Sequence, residues 1–496
     1  MPSQKTPKEV AALIEQLTTA GFEAVVVGGC VRDLLLNAKP ADWDVATDAI
    51  PEEIQRVFPE SVYENQFGTV GVKTGSDDPS LAIVEVTTYR VDESYSDQRH
   101  PDRVRFTKSL EEDLARRDFT INAIALKIKN PDQNSKIAED YEIVDPFGGQ
   151  ADLEARLIRA VGEPTTRFRE DALRLMRAVR LATQLGFTIE PETTAAIKAN
   201  ARLLKAIAAE RIRDELTKLV MADKPALGFT LLKDLELLEY VLPELAEGVG
   251  VGQNKHHIYP VFEHSINSLE YAAHAKYSLN VRLAALLHDV GKPKTKRGEG
   301  PDSTFYGHEM VGAKMTRQAL RRLKFSKDIE EQVTHLVRYH LFYYNVDEVT
   351  EAGVRRLVRK VGPEHMADLI KLRTADRKGS GVPKAMPYKL RHLQFLIEKV
   401  SRDPLTVGML NIRGDDIMRI LKIDPGPKVG LILKALMDEV LDDPGKNTTE
   451  YLEARIAELG ALSEPELRKF AQAGEGKVEE FEAGAVAEIK KKHWVQ

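Results

Sequence analysis

The chain has 496 residues, 43% of them hydrophobic, with 71 Lys+Arg against 77 Asp+Glu and a formal charge of -6. That length predicts roughly three to four globular domains, and the near balance of charge excludes a global basic field, so any contact with nucleic acid has to come from local basic surface. A lone cysteine, Cys30, excludes an internal disulfide framework; no apolar run approaches the ~18 residues of a membrane span, and Met1 to Leu17 reads as a polar amphipathic helix, so a cytoplasmic chain with no membrane contact is expected.

In chain order, Ala24-Val25-Val26-Val27 predicts a short buried strand and Val31 to Leu36 the start of a helix. Between them, Gly28-Gly29 permits close backbone approach to a phosphate, and helix-start amides favour an anion. If Asp42-Trp43-Asp44 is extended, Trp43 points away and both carboxylates share one strand face. Two such groups can hold Mg²⁺ ions about 3.5–4 Å apart, an arrangement that activates an attacking hydroxyl and neutralises a leaving pyrophosphate. A Gly-Gly turn or an Asp-x-Asp is common in isolation. Their order and closeness here point to metal-dependent nucleotidyl transfer.

Strand patterns recur at Val70-Gly71-Val72 and from Leu81 to Tyr89, enclosing a loop at Gly75 to Ser80, and the second strand offers Glu85 as a third carboxylate. The polar, aromatic segment Thr88 to Pro101 reads as a mobile loop beside the site. Next, Leu114 to Ala123 packs Arg116, Arg117, Asp118 and Asn122 around an apolar helix start, where arginine can clamp a triphosphate and Asn122 can reach the sugar.

From about 151 onward the periodicity is helical, as in Glu170 to Leu185, Thr193 to Arg202 and Ala209 to Met221. The first of these windows places Asp171, Arg174 and Arg177 at i, i+3 spacings on one face. Cytosine and adenine both present an exocyclic amine beside an unprotonated ring nitrogen, so a carboxylate and an arginine would admit C and A together and oppose U and G. An ordinary helical Asp–Arg pair explains the same spacing. Glycine-rich stretches at Glu247 to Gly252 and Gly379 to Pro383 mark boundaries near 245 and 385.

Five ordered motifs carry a resemblance: Gly28-Gly29-x-Val31-Arg32-Asp33, Asp42-x-Asp44, Arg116-Arg117-Asp118-Phe119-Thr120-x-Asn122-Ala123, Glu170-Asp171-x-x-Arg174-x-x-Arg177 and Glu210-Arg211-Ile212-x-x-Glu215. They resemble the motifs of class II tRNA nucleotidyltransferases, the family of CCA-adding enzymes, CC- and A-adding specialists and bacterial poly(A) polymerases. The resemblance implies an α+β chain: a catalytic head over residues 1–150, and a helical neck and body for nucleotide selection and RNA binding over 151–245. It implies tRNA, CTP and ATP as partners and Mg²⁺ at Asp42 and Asp44, with Glu85 assisting. Gly28, Gly29, Arg32, Asp33, Arg117, Asp118, Asn122 and Arg177 would bind nucleotide, and Asp171 with Arg174 would select it. The segment from Arg90 to Pro101 is similar to the flexible loop of full CCA-adding and A-adding enzymes, which disfavours CC-only addition, and Gly68-Thr69-Val70 is closer to the CCA type than to the poly(A) signature. Phe67 departs from the histidine of many relatives.

Between about 250 and 385, His264, His288-Asp289, His308, His340 and Asp376 form a set of imidazole and carboxylate ligands suited to Mn²⁺, iron, Ni²⁺ or Zn²⁺. With Gly291-Lys292-Pro293 and Ala375-Asp376-Arg377, the set resembles an HD phosphohydrolase domain, over residues 246–385, implying a second divalent metal and phosphatase or cyclic phosphodiesterase activity; His335 competes with His340 for the ligand role. A domain that keeps the fold for tRNA binding, with little hydrolysis, is the alternative. Residues 386–496 look like the family's helical tail, with Gly414, Gly426 and nearby lysines as candidates for gripping tRNA phosphates.

Overall fold

The computed structural model describes residues 6–65, 68–93, 103–128, 141–254, 258–346, 348–381, 386–401, 410–469 and 489–495. By compactness the chain divides into two units, Met1–Arg338 with Ala375–Val382, and Tyr339–Thr374 with Pro383–Gln496.

The first unit opens on an amphipathic helix, Lys8–Thr19, which buries Val10, Leu13, Ile14 and Leu17. Its sheet is built from β1 (Ala24–Val27), β2 (Asp44–Thr47), β3 (Ser61–Asn65), β4 (Thr69–Lys73), β5 (Ile83–Thr88), β8 (Ala125–Ile128) and β9 (Tyr141–Val144), while β6 (Arg90–Glu93) and β7 (Arg103–Phe106) form a separate antiparallel pair. The sheet order is β3-β4-β5-β2-β1-β8-β9. All residues of β1 are buried, as a central strand covered on both faces requires. Val25, Val27, Ala46, Ala123 and Ala125 form one apolar cluster with Tyr89, Leu114 and Val161.

β2 runs antiparallel to β1 and parallel to β5. Alternation along β5 buries Val84 and Val86 and leaves Glu85 exposed. Part of the expected 88–101 loop is therefore strand, since Arg90–Glu93 finds a hydrogen-bonding partner in Arg103–Phe106. Thr88 closes β5 and Tyr89 is buried, while residues 94–101 and Phe67 lie outside the described residues.

Beyond the sheet the first unit is helical, so the α+β expectation holds. The expected continuous helix from Glu170 is broken: Pro164–Glu170 ends at Asp171, whose backbone is extended, and Leu173–Leu185 begins anew. A local side-chain turn accompanies the break, with the Asp171 carboxylate accepting from the Leu173 amide at 3.0 Å. Asp171 therefore sits at a helix junction and does not share a continuous helical face with Arg174 and Arg177. The helices Pro191–Asn200 and Ala209–Val220 follow, then Val261–His274 and Leu279–Leu287.

In the second unit, Gly414–Leu421, Pro427–Asp442 and Thr449–Gly460 close around Ile417, Ile432, Leu436, Leu452 and Ile456.

Candidate active site and metal centre

The head site starts from register. Asp44 opens β2 and is paired directly with Glu85 of β5, and parallel neighbours at about 4.8 Å put both carboxylates on one sheet face. Asp42 lies in the bend just before β2 and is exposed, while Trp43 is buried and anchors the turn. Burial pushes the Asp44 carboxyl up to about 6; Arg117 opposes this, and Asp42 and Glu85 add to it by like-charge repulsion. Three carboxylates thus share one field, with a divalent cation as the natural counter-charge.

Gly28 has φ +83, and a Cβ there would lie 2.9 Å from the Arg117 Nη1 and 3.4 Å from the Asp44 Oδ2. Glycine is required on both counts, by the left-handed backbone and by the approach of a carboxylate and a guanidinium. Gly29 begins the Gly29–Leu35 helix, whose Cys30 is buried with its thiol donating to the Val27 carbonyl at 3.1 Å.

The remaining expected nucleotide-binding residues form a hydrogen-bonded chain. Arg32 donates to Asp33 at 2.7 Å through Nη2 and to the Asn122 Oδ1 at 2.9 Å; Asn122 donates to Asp118 at 3.1 Å; and Arg177 donates to Asp118 at 2.7 Å. Although burial alone would raise the Asp118 carboxyl, Arg177, Asn122 and Arg174 hold it well below the usual carboxylate range. Asp171 and Arg174 meet through the backbone, the Arg174 amide donating to the Asp171 carbonyl at 3.1 Å, while among the described contacts their side chains take other partners. Arg211 grips Asp171 at 2.7 and 3.1 Å, while Arg174 is held by Glu170 at 2.6 Å and donates to the carbonyls of Arg167 and Arg116.

Two residues with no individual role in the sequence reading organise this site. Asp113 is fully buried and binds Arg116 at 2.7 Å and Arg117 at 3.2 Å, orienting the latter beside Asp44. Arg211 fixes Asp171. An Asp followed by arginines at i+3 and i+4 was a readable signal for the first, whereas the second stands in a quoted motif whose pairing with Asp171 no local spacing announces.

The second site brings together five buried side chains of the first unit. His264 comes from Val261–His274, His288-Asp289 follow Leu279–Leu287, His308 begins His308–Arg322 and Asp376 belongs to Pro363–Gly379. The His264 Nε2 lies 3.0 Å from the His288 Nε2, 3.2 Å from Asp289 and 3.3 Å from Asp376; the His308 Nε2 is 3.5 Å from Asp289. The Nδ1 atoms of His288 and His308 contact the carbonyls of Ala285 and Phe305 at 2.9 and 2.7 Å, aiming both Nε2 atoms inward. Ligands about 2.1 Å from a metal sit about 3 Å apart at right angles, so this donor set fits a divalent cation. Burial would lower the His288 imidazole, but Asp289 and Asp376 outweigh it and push it up to about 10. Lys292, unassigned by the sequence reading, lies 2.7 Å from Asp289 and donates to Gln253. His340 is buried and belongs to the second unit, and His335 is half-buried on Lys327–Tyr339.

Residues 24–159 match the family described as "Poly A polymerase head domain", 186–248 "Probable RNA and SrmB- binding site of polymerase A", and 261–376 "HD domain". The A-adding tRNA nucleotidyltransferase of Deinococcus radiodurans is 35% identical over 429 residues, covering 84% of this chain and 91% of its own. The chain belongs to the class II tRNA nucleotidyltransferase and poly(A) polymerase family. Within that family, the CCA-adding enzyme of Geobacillus thermodenitrificans is 46% identical over 241 residues, or 48% of this chain and 55% of its own, so the match spans about half of that relative. The Bacillus stearothermophilus CCA-adding enzyme, solved in complex with CTP, superposes with a TM-score of 0.59 at 29% identity, covering 92% of this chain and 98% of that one. No helix among the described residues of this nucleotidyltransferase is long and apolar enough to cross a membrane.

Proposed function

We propose that this chain is a cytoplasmic, template-independent CCA-adding tRNA nucleotidyltransferase. The observation that carries the proposal is the direct pairing of Asp44 with Glu85, beside Asp42 and under the Gly28 turn. In the proposed reaction the tRNA 3′-hydroxyl attacks the α-phosphate of CTP or ATP and pyrophosphate leaves. Mg²⁺, when bound at Asp42 and Asp44, supplies activation of the hydroxyl and neutralisation of charge on the phosphates. Glu85 adds a third carboxylate to that field. Gly28 and Gly29 let the triphosphate approach the backbone, and Arg117, held by Asp113, presents a cation beside the carboxylates.

The Arg32–Asn122–Asp118–Arg177 chain then ties the turn to the selecting helix. Asp171 accepts from the exocyclic amine of C or A and Arg174 donates to the ring nitrogen, while U and G meet opposed donors or acceptors. In this reading Asp171 meets the base from the helix junction, with Arg211 fixing the orientation of its carboxylate.

His264, His288, Asp289, His308 and Asp376 are proposed as a second divalent metal site, of Mn²⁺, Ni²⁺, iron or Zn²⁺, supporting hydrolysis of phosphate esters; His340 joins them on sequence context alone. The test is to incubate the protein with Mg²⁺, CTP and ATP and sequence the 3′ ends of two tRNA transcripts, one ending at the discriminator base and one in CC. Growth of both to CCA is expected. Extension of the CC-ended transcript alone would make the chain an A-adding specialist, like its Deinococcus relative.

A further inference from the structure

The second unit holds a cavity of about 280 Å³ that neither site above uses. Its wall is an aromatic run, Tyr339, Phe342, Tyr343 and Tyr344, set against Leu357 and Lys360 of the Glu351–Val361 helix. Ligand pockets begin at roughly 300 Å³, so there is room for one planar ring system and not for a helix or a folded partner. Tyr343 is 70% exposed at the cavity, a large aromatic surface left in water.

Cations surround this aromatic wall. The Lys360 ammonium lies 5.7 Å from the Tyr339 ring centre, and the Arg373 guanidinium lies 6.0 Å from that of Phe342. Arg355, Arg356 and Arg359 are exposed on the helix that carries Lys360. Arg356 turns back toward the cavity edge, its Nη2 3.9 Å from where a Cβ on Gly353 would sit. Behind Tyr344 the array continues through His392, with ring centres 6.2 Å apart, to Tyr388 at 5.8 Å from His392. Glu348 is the acidic neighbour, paired with the Tyr343 hydroxyl and with Asn345 at 2.7 Å.

A cavity of that size lined by tyrosine and phenylalanine beside several cations suits a nucleobase stacked on tyrosine, with its flanking phosphates against lysine and arginine. We propose that this cavity binds an unpaired base of RNA, a contact point separate from the nucleotide pocket. The assignment rests on the proposed action on tRNA for its biological setting, but the binding itself is independent of catalysis. Tyr343 supplies the stacking face, Lys360 and Arg356 the phosphate contacts.

The test uses the full chain and a fluorescein-labelled single-stranded octauridylate, read by anisotropy. Base–aromatic stacking of this kind predicts at least about tenfold weaker binding for Tyr343→Ala, near-normal binding for Tyr343→Phe, and a shallower salt dependence for Lys360→Ala. Both side chains are exposed, so thermal melting of the variants should match the parent. A 4-thiouridine version of the probe should crosslink within residues 339–360. Unchanged affinity in Tyr343→Ala, no binding by the parent, or crosslinks confined to other segments would each overturn the proposal. Failure of the protein to extend any tRNA would refute the functional reading while leaving the oligonucleotide result to stand or fall alone.

Discussion

The two polar centres of the first unit solve opposite electrostatic problems. In the head, Asp42 and Glu85 are exposed and Asp44 is half-buried, three like charges brought together by strand register with Arg117 as a nearby cation. In the HD-type centre every donor is buried, and His264, His288, His308 and Lys292 face Asp289 and Asp376 at 2.7–3.7 Å. The first array is repulsive and open, which suits cations that arrive with a substrate. The second is buried and already assembled, so that its imidazoles, once deprotonated, present ring nitrogens together with two carboxylates to a resident ion. Whether a polar cluster is held by the fold or held by its ligand can be read from the signs of its members.

The largest effect should separate the two centres completely. Asp42→Asn with Asp44→Asn removes ligands whose bound metal is worth several kcal/mol of charge stabilisation, so nucleotide addition should fall by about a thousandfold or more. Metal-dependent release of phosphate from 2′,3′-cyclic ends should persist in this variant and disappear in His288→Ala with Asp289→Ala. If the head variant also loses hydrolysis, the two centres are one functional unit and the contrast is wrong.

Stability should then move in opposite directions. Asp289→Asn leaves His288 and Lys292 buried without their main counter-charge, a change that typically costs about 3–5 kcal/mol. Asp44→Asn should instead raise the melting temperature slightly at pH 8 in Mg²⁺-free buffer. The sign follows from linkage: the folded Asp44 carboxyl, at about 6, lies above its unfolded value, so its ionised form opposes folding at every pH above about 6. Calorimetry of both variants decides this, and destabilisation by Asp44→Asn would show that the head carboxylates are structural.

Much of this contrast was legible in the chain, and the missing parts share a cause. Asp42, Asp44, Gly28 and Gly29 stand close together in sequence, where local patterns carry information. The pairing of Glu85 with Asp44 depends on sheet register between distant segments; the sequence offered Glu85 as a third carboxylate but carried no sign of that register. The break at Asp171 escaped because no Gly or Pro marks it: apolar periodicity runs through, and only a local turn of the Asp171 side chain onto the Leu173 amide accompanies it. Asp113 and Lys292 were within reach of a charge-spacing argument, since both act on near neighbours. Arg211 was visible only as part of a family motif, and its partner had to be found in three dimensions.

That last pair gives the smallest effect and the finest test of the head's design. Asp171 is proposed to read the amine shared by C and A, and its orientation depends on the two hydrogen bonds from Arg211. Removing the reader and loosening it should therefore differ in degree, not in kind. Asp171→Ala should erode discrimination of CTP and ATP against UTP and GTP by about 10- to 100-fold, the 1–3 kcal/mol that a good base contact is worth. Arg211→Ala should shift the same ratio in the same direction by less, since the carboxylate remains but is free to rotate. Single-nucleotide incorporation on a CC-ended tRNA, measured with each of the four triphosphates, gives both ratios. Should Arg211→Ala abolish incorporation of every nucleotide equally, the Arg211–Asp171 pair supports the helix junction and not the choice of base.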